Sequence, residues 1–85
     1  SEMCIRDRYI DSPLVGIFYT APGEGEAPFV SVGDRVKKGQ TLGIVEAMKL
    51  MHEITCEQNG IVKEICAQNG DAVEYGQKLF IIEEA

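Results

Sequence analysis

The sequence repeats itself once, without a gap, over two stretches of fourteen residues. Residues 33–46 (GDRVKKGQTLGIVE) align with residues 70–83 (GDAVEYGQKLFIIE) at a constant offset of 37 positions, and eight of the fourteen pairs are identical. Gly33 and Gly39 are among the identities, matched by Gly70 and Gly76. The match indicates that two halves of one chain fold in the same way, which constrains the fold more than any single motif does.

The repeated stretches consist of turn signals and short apolar segments. Gly-Asp and Gly-Gln pairs favour turns, because glycine adopts positive φ without steric strain. The intervening segments are rich in Val, Ile and Phe and predict strands, whereas no segment shows convincing helical periodicity over ten residues. Leu42 and Ile44 align with Leu79 and Ile81, so each pair is predicted to occupy equivalent core positions.

Two similar halves of this kind predict an all-β domain. A flattened barrel or sandwich of two four-stranded antiparallel sheets, related by an approximate two-fold axis, accommodates both halves. A chain of 85 residues has a thin core, which favours a carrier or binding module over an enzyme. We predict this domain at residues 9–85. Residues 1–8 lack periodicity and are predicted to be either a disordered tail or a remnant of a vector or of upstream sequence.

The first half contains an insertion that the second half lacks. Residues 16–18 (GIF) resemble residues 60–62 (GIV) at an offset of 44, which exceeds the offset of 37 by seven positions. The insertion falls in a stretch rich in Pro, Gly and Glu, which is typical of a surface loop. That stretch is Thr20, Ala21, Pro22, Gly23, Glu24, Gly25, Glu26, Ala27 and Pro28. A flexible excursion and a protrusion that contacts the functional end fit this pattern equally well.

The joint between the halves, residues 47–50 (AMKL), is unusual for a tight turn. Hairpin turns normally use Asn, Gly or Asp, whereas these four residues are strong helix formers. A single helical turn is the local interpretation, but residues 41–46 and 52–57 on either side have strand patterns. Local violations of such rules tend to mark functional sites.

Lys49 is the candidate functional residue of this joint. Its primary amine ends a flexible four-carbon stem, so it can be acylated and then swing. Met48, Leu50 and Met51 surround it, and an exposed apolar rim often marks a recognition surface.

Composition excludes several other functions. With 14 acidic and 8 basic side chains the net charge is −6, and no basic stripe is present for nucleic acid. No apolar run approaches the roughly 20 residues that span a bilayer. Three cysteines and the single His52 lack the paired spacing of a zinc site, so no metal is predicted. Unpaired thiols favour a reducing cytosol.

Residues 46–51 (EAMKLM) resemble the biotinylation motif of biotin carboxyl carrier proteins, in which Ala-Met-Lys-Met is usual. The resemblance extends over about residues 9–84. It implies that biotin is bound covalently to Lys49 and that a biotin protein ligase recognises the flanking residues Glu46, Ala47, Met48 and Leu50. Leu50 departs from the usual Met but preserves the apolar volume, so we expect ligase recognition to survive.

The resemblance also implies a carrier without catalytic activity of its own. A biotin carboxylase would place a carboxyl group on the biotin, and the domain would deliver it to a carboxyltransferase at high effective concentration. The insertion resembles the thumb of the acetyl-CoA carboxylase carrier subunit, which leans toward the biotin. The expected setting is malonyl-CoA formation for fatty-acid synthesis, in the cytoplasm or, in a photosynthetic eukaryote, the plastid stroma. The isolated domain is expected to be monomeric.

Three alternatives remain open. The domain could serve another biotin-dependent carboxylase or a decarboxylase. A lipoyl carrier domain shares the fold and the tip lysine, but there the lysine usually follows Asp rather than Met48. An unmodified adaptor module of the same fold would tolerate Lys49→Ala.

Overall fold

The computed structural model describes residues 5–85, so residues 1–4 of the predicted tail lie outside the described part. The described residues form eight strands and no helix. The strands are β1 (Asp7–Asp11), β2 (Gly16–Tyr19), β3 (Arg35–Val36), β4 (Thr41–Ala47), β5 (Leu50–Thr55), β6 (Gly60–Ile65), β7 (Ala72–Val73) and β8 (Lys78–Glu84).

Two antiparallel four-stranded sheets pack together, as the repeat predicts. The terminal sheet has the order β1-β8-β6-β3, and the hairpin sheet has the order β5-β4-β2-β7. Strands β2, β3 and β4 of the first half correspond to β6, β7 and β8 of the second, and they occupy matching places in the two orders. The predicted fold class is confirmed.

The repeated turns are stabilised by side chains as well as by glycine. The four glycines that recur in the two halves adopt φ values between 82° and 96°. The carboxylates of Asp34 and Asp71 each accept a hydrogen bond of 2.9 Å from the main-chain N–H three residues earlier. The side-chain oxygens of Gln40 and Gln77 do the same at 3.0 Å. Asp and Gln therefore recur with the glycines because each provides an acceptor for its own turn.

The core lies between the two sheets. Phe18 of β2 and Phe80 of β8 are fully buried and meet edge to face, with ring centroids 5.7 Å apart. Leu42 and Leu79 are buried in equivalent places, as predicted. The predicted core position of Ile44 is wrong. Regular alternation would place Leu42 and Ile44 on the same face, but a bulge with a register shift between residues 41 and 43 breaks the alternation, so Ile44 lies half-buried on the outer face.

The folded domain begins earlier than predicted. β1 starts at Asp7, two residues before the predicted boundary at Tyr9. The Asp7 carboxylate is buried and accepts hydrogen bonds of 3.0 and 3.2 Å from Lys63 Nζ. Arg8 forms an ion pair with Glu84 at 3.0 Å. The prediction that Asp7 and Arg8 belong to a tail is therefore wrong. Ion pairs and main-chain pairing hold this end of the strand in place of a row of buried apolar side chains, so the sequence shows no apolar periodicity there.

The insertion, residues 20–28, forms a closed loop without strands. Its two ends lie together because the N–H of Phe29 donates to the carbonyl of Thr20 at 2.8 Å. The N–H of Thr20 donates in turn to Oδ1 of Asn69 at 2.8 Å, which ties the base of the loop to the connection between β6 and β7.

Candidate functional site

Strands β4 and β5 form a hairpin whose tip consists of Met48 and Lys49. Six residue pairs link the two strands, and the last is Ala47 with Leu50. Met48 has φ of 53° and Lys49 has φ of 67°. Positive φ at both central residues is typical of a type I′ turn, whose twist matches that of the flanking strands. The joint is therefore a two-residue hairpin turn rather than a turn of helix.

The tip is strained by its residue types. A non-glycine residue in the left-handed region costs on the order of 1–3 kcal/mol, and Asn-Gly would adopt the same turn more easily. The paired strands hold Met48 and Lys49 in this conformation despite the cost. The result is a short, fixed turn from which both side chains protrude: Met48 is 94% exposed, and Lys49 is exposed beside it.

Lys49 and the residues predicted for ligase recognition all lie on this hairpin, whereas the predicted thumb is the separate loop of residues 20–28. Glu46 and Ala47, at the end of β4, are half-buried. Leu50 begins β5 and is 62% exposed. The structure thus brings together every residue that the motif singled out, around an amine that projects from the main chain.

Glu46 has a partner that the sequence analysis missed. The hydroxyl of Tyr19 donates to Oε1 of Glu46 at 3.1 Å. β2 pairs with β4, so both side chains lie on the outer face of the hairpin sheet. The hydrogen bond to Glu46 is the largest cause that raises the pKa of Tyr19 above its ordinary value; burial and the charge of the same carboxylate add to it.

Removing the Glu46 carboxylate should lower the pKa of Tyr19. In Glu46→Gln, alkaline titration of tyrosine absorbance should show one group ionising at lower pH than in the wild type. Because the folded state holds this proton more tightly, the stabilisation is present below the unfolded pKa of about 10 and is lost as the pH rises through the folded pKa. Superimposable titration curves would show that the hydrogen bond does not form in solution.

A groove of about 360 Å³ separates the insertion from the outer face of the hairpin sheet. Tyr19, Ile44 and Met51 line the sheet side, and residues 21–24 and Asn69 line the other. Its volume lies within the range of about 300–1,000 Å³ that is usual for small-molecule sites. The insertion therefore lies over the face that carries Glu46 and does not project away from the hairpin.

Other kinds of site were also sought. Within residues 5–85, no group of three or more His, Cys, Asp or Glu side chains is placed to hold a metal ion. In the same part of the chain, no helix is long and apolar enough to cross a membrane. Cys56, which is buried, and Cys66, which is exposed, are free thiols.

Fold and site together define a carrier domain: a small β-sandwich that presents one lysine amine on a fixed hairpin tip, with a groove beside it. An exposed primary amine of this kind fits covalent attachment of a prosthetic group through an amide bond. The family model described as "Biotin-requiring enzyme" matches residues 8–82. The chain therefore belongs to the biotin/lipoyl attachment family.

Proteins of similar sequence agree with this assignment. The chain is 58% identical over 73 residues to the biotin carboxyl carrier protein of acetyl-CoA carboxylase from Nostoc sp., covering 86% of this chain and 40% of the relative. It is 51% identical over 70 residues to the protein of the same name from Streptococcus pyogenes, covering 82% and 42%. The chain thus spans less than half the length of these relatives.

A solved structure shows the same fold. The crystal structure of Kluyveromyces lactis urea carboxylase aligns with a TM-score of 0.81 and 30% identity, over 96% of this chain and 7% of that one. The high coverage of this chain and the small share of the enzyme show that the likeness concerns one domain of a much larger protein.

Proposed function

We propose that this domain is the biotin carboxyl carrier of an acetyl-CoA carboxylase and that biotin is attached to Lys49. The observation that carries the proposal is the position of Lys49, an exposed amine on a two-residue turn with both φ values positive. The curated relatives that are 51% and 58% identical are named as carriers of that enzyme. The groove-forming insertion resembles the thumb of such carriers and supports the same subtype.

Attachment requires the lysine to act as a nucleophile toward biotin that a biotin protein ligase has activated. The ε-amine of Lys49 attacks the activated carbonyl carbon, an amide bond forms, the activating group leaves and the amine loses a proton. The hairpin serves this step by holding the main chain fixed while the four-carbon stem projects into the ligase. Activation of biotin is left to the ligase, so the domain itself is not the catalyst.

Four flanking residues would present the lysine to the ligase. Met48 and Leu50 offer exposed apolar surface on either side of it, and the half-buried Ala47 ends the strand that leads into the turn. Glu46 offers a carboxylate whose orientation is restrained by the hydroxyl of Tyr19. A restrained group loses less entropy on binding, which favours recognition.

The insertion, which we propose acts as the thumb, would provide a second contact for the attached group. Its residues 21–24 form one wall of the groove beside the hairpin. The hydrogen bond between Phe29 and Thr20 closes the base of the loop and holds this wall in position. We expect the thumb to restrict the motion of the attached group and to shield it from water.

When bound, biotin supplies a ureido nitrogen that carries a carboxyl group between enzymes. The stem of Lys49 provides the flexibility that two successive partners require, a biotin carboxylase and then a carboxyltransferase that forms malonyl-CoA for fatty-acid synthesis. The relatives include cyanobacterial and chloroplastic proteins, so we expect the protein in the cytoplasm or the plastid stroma. We expect the isolated domain to be monomeric.

Labelling tests this proposal directly. When the domain is produced with a biotin protein ligase, we expect streptavidin to detect the wild type and the control Lys38→Arg, which changes an exposed lysine in a turn. Lys49→Arg, which preserves the charge but not the nucleophilic amine, should remain unlabelled. A wild type that stays unlabelled, or a labelled Lys49→Arg, would contradict biotin attachment at this residue.

A further inference from the structure

Four strand ends line up at one edge of the hairpin sheet. In the order β5-β4-β2-β7, β5 begins at Leu50, β4 ends at Ala47, β2 begins at Gly16 and β7 ends at Val73. Neighbouring strands are antiparallel, and their registers bring these ends level with one another. The edge that carries the Lys49 turn therefore continues across the whole width of the sheet.

Val15 and Tyr75 extend from this same edge. Val15 directly precedes β2 and is 67% exposed, and Tyr75 follows β7 by two residues and is 78% exposed. Two main-chain hydrogen bonds of 2.8 Å join the segments that bear them: Gly76 N–H donates to Ser12, and Ser12 N–H donates to Gln77. These bonds hold the main chain of both loops against the fold, so both residues are presented from fixed main-chain positions.

Exposed apolar side chains are concentrated here. Of the eight large apolar side chains that are well exposed in the described residues, five lie at this edge. We call them the edge surface: Val15, Met48, Leu50, Met51 and Tyr75. Clustered apolar exposure of this kind marks an interaction site, whereas isolated exposed residues do not.

We propose that the edge surface is the docking face for the biotin protein ligase, so that ligase recognition extends beyond the motif to Val15 and Tyr75. This inference rests on the proposed function. The choice of the ligase follows from distance. Its substrate is the lysine amine itself, which lies at the end of a four-carbon stem, so the ligase surface must approach the domain within the length of one side chain.

The later partners need no such approach. A carboxylase or a carboxyltransferase acts on the far end of the attached biotin, which lies beyond the lysine amine by the length of the biotin side chain. The domain surface then stays farther from those active sites. A close apolar contact around Lys49 therefore fits the ligase better than it fits the biotin carboxylase or the carboxyltransferase. Tyr75 suits such a contact, because tyrosine is among the residues that most often dominate binding energy at interfaces.

Steady-state labelling kinetics test the inference. With ligase, biotin and ATP, Val15→Ser and Tyr75→Ser should each lower kcat/KM for the domain about fivefold. The loss should appear as a higher KM with kcat unchanged, because the lysine and its turn are intact. Val32→Ser is the matched control: Val32 is 62% exposed and lies before β3 of the terminal sheet, so its kcat/KM should equal that of the wild type.

Failure of this inference differs from failure of the proposed function. An unlabelled wild type would refute biotin attachment itself. If the wild type is labelled, unchanged kcat/KM in Val15→Ser and Tyr75→Ser would overturn the docking face, as would an equal loss in Val32→Ser. Normal labelling with impaired carboxyl transfer would assign the surface to a carboxylase component, and self-association of the wild type through Tyr75 would assign it to a second copy; either result would overturn the proposal.

Discussion

Replacing Met48 and Lys49 together by Asn-Gly should raise the free energy of unfolding by about 2 kcal/mol and abolish biotin attachment. Both residues adopt positive φ, and the strain of a non-glycine residue there is on the order of 1–3 kcal/mol. Asn-Gly is favoured in a type I′ turn. A gain of that size corresponds to a rise of roughly 10 °C in Tm for a domain of this length. Urea and thermal unfolding measure the gain, and streptavidin measures the loss.

The single variant Met48→Asn separates the two effects. Asparagine tolerates the left-handed region better than methionine does, and Met48 is 94% exposed, so little packing is lost. We expect a gain of about 1 kcal/mol. Lys49 should still accept biotin, but with a lower kcat/KM for the ligase, because Met48 belongs to the apolar surface that we propose the ligase contacts. If neither variant is more stable than the wild type, the turn is not strained and its residues do not trade stability for display of the lysine.

Replacing residues 21–27 by two glycines should leave the fold intact but reduce carboxyl transfer by about tenfold or more. The replaced residues lie outside both sheets, while Phe29 and the buried Val30, which contact the core, are retained. We expect the free energy of unfolding to change by no more than about 1 kcal/mol, because surface substitutions away from packed features are usually of that order or less. Biotin attachment should be unchanged, since the hairpin is untouched.

The reason for the transfer defect is loss of one wall of the groove beside the hairpin. A second variant replaces residues 21–27 by an alternating Gly-Ser segment of equal length. It removes the side-chain contacts of the thumb without shortening the loop, and it should show the same defect in carboxyl transfer. Unfolding of either variant would show that the loop is structural. Full carboxyl transfer in both would show that the thumb has no role in the reaction.

Much of the fold could be predicted because the repeat encodes it twice. The glycines and the strand patterns in both halves predicted two equivalent sheets, and the mismatch of the two offsets located the insertion. The start of β1 could not be predicted, since Asp7 is held by an ion pair to Lys63, a partner 56 positions away. Ile44 was misplaced because the bulge near the start of β4 puts Leu42 and Ile44 on opposite faces, and the residue pattern does not reveal that bulge.

The site was predicted only as far as it is local in sequence. Lys49 and its neighbours are consecutive, so a motif identifies them. The hydrogen bond from Tyr19 to Glu46 depends on the register between two strands and joins residues 27 positions apart. The groove likewise requires the loop to fold back over the sheet, and nothing in its Pro, Gly and Glu composition gives that direction.

Transfer of a carboxyl group to the domain is the most direct test of the account. The biotinylated domain should be incubated with a biotin carboxylase, ATP and radiolabelled bicarbonate, and the label on the domain should then be counted. We predict one carboxyl group per wild-type domain, none on Lys49→Arg, and loss of the label when carboxyltransferase and acetyl-CoA are added. A biotinylated wild type that accepts no carboxyl group, or a label that persists on Lys49→Arg, would contradict it.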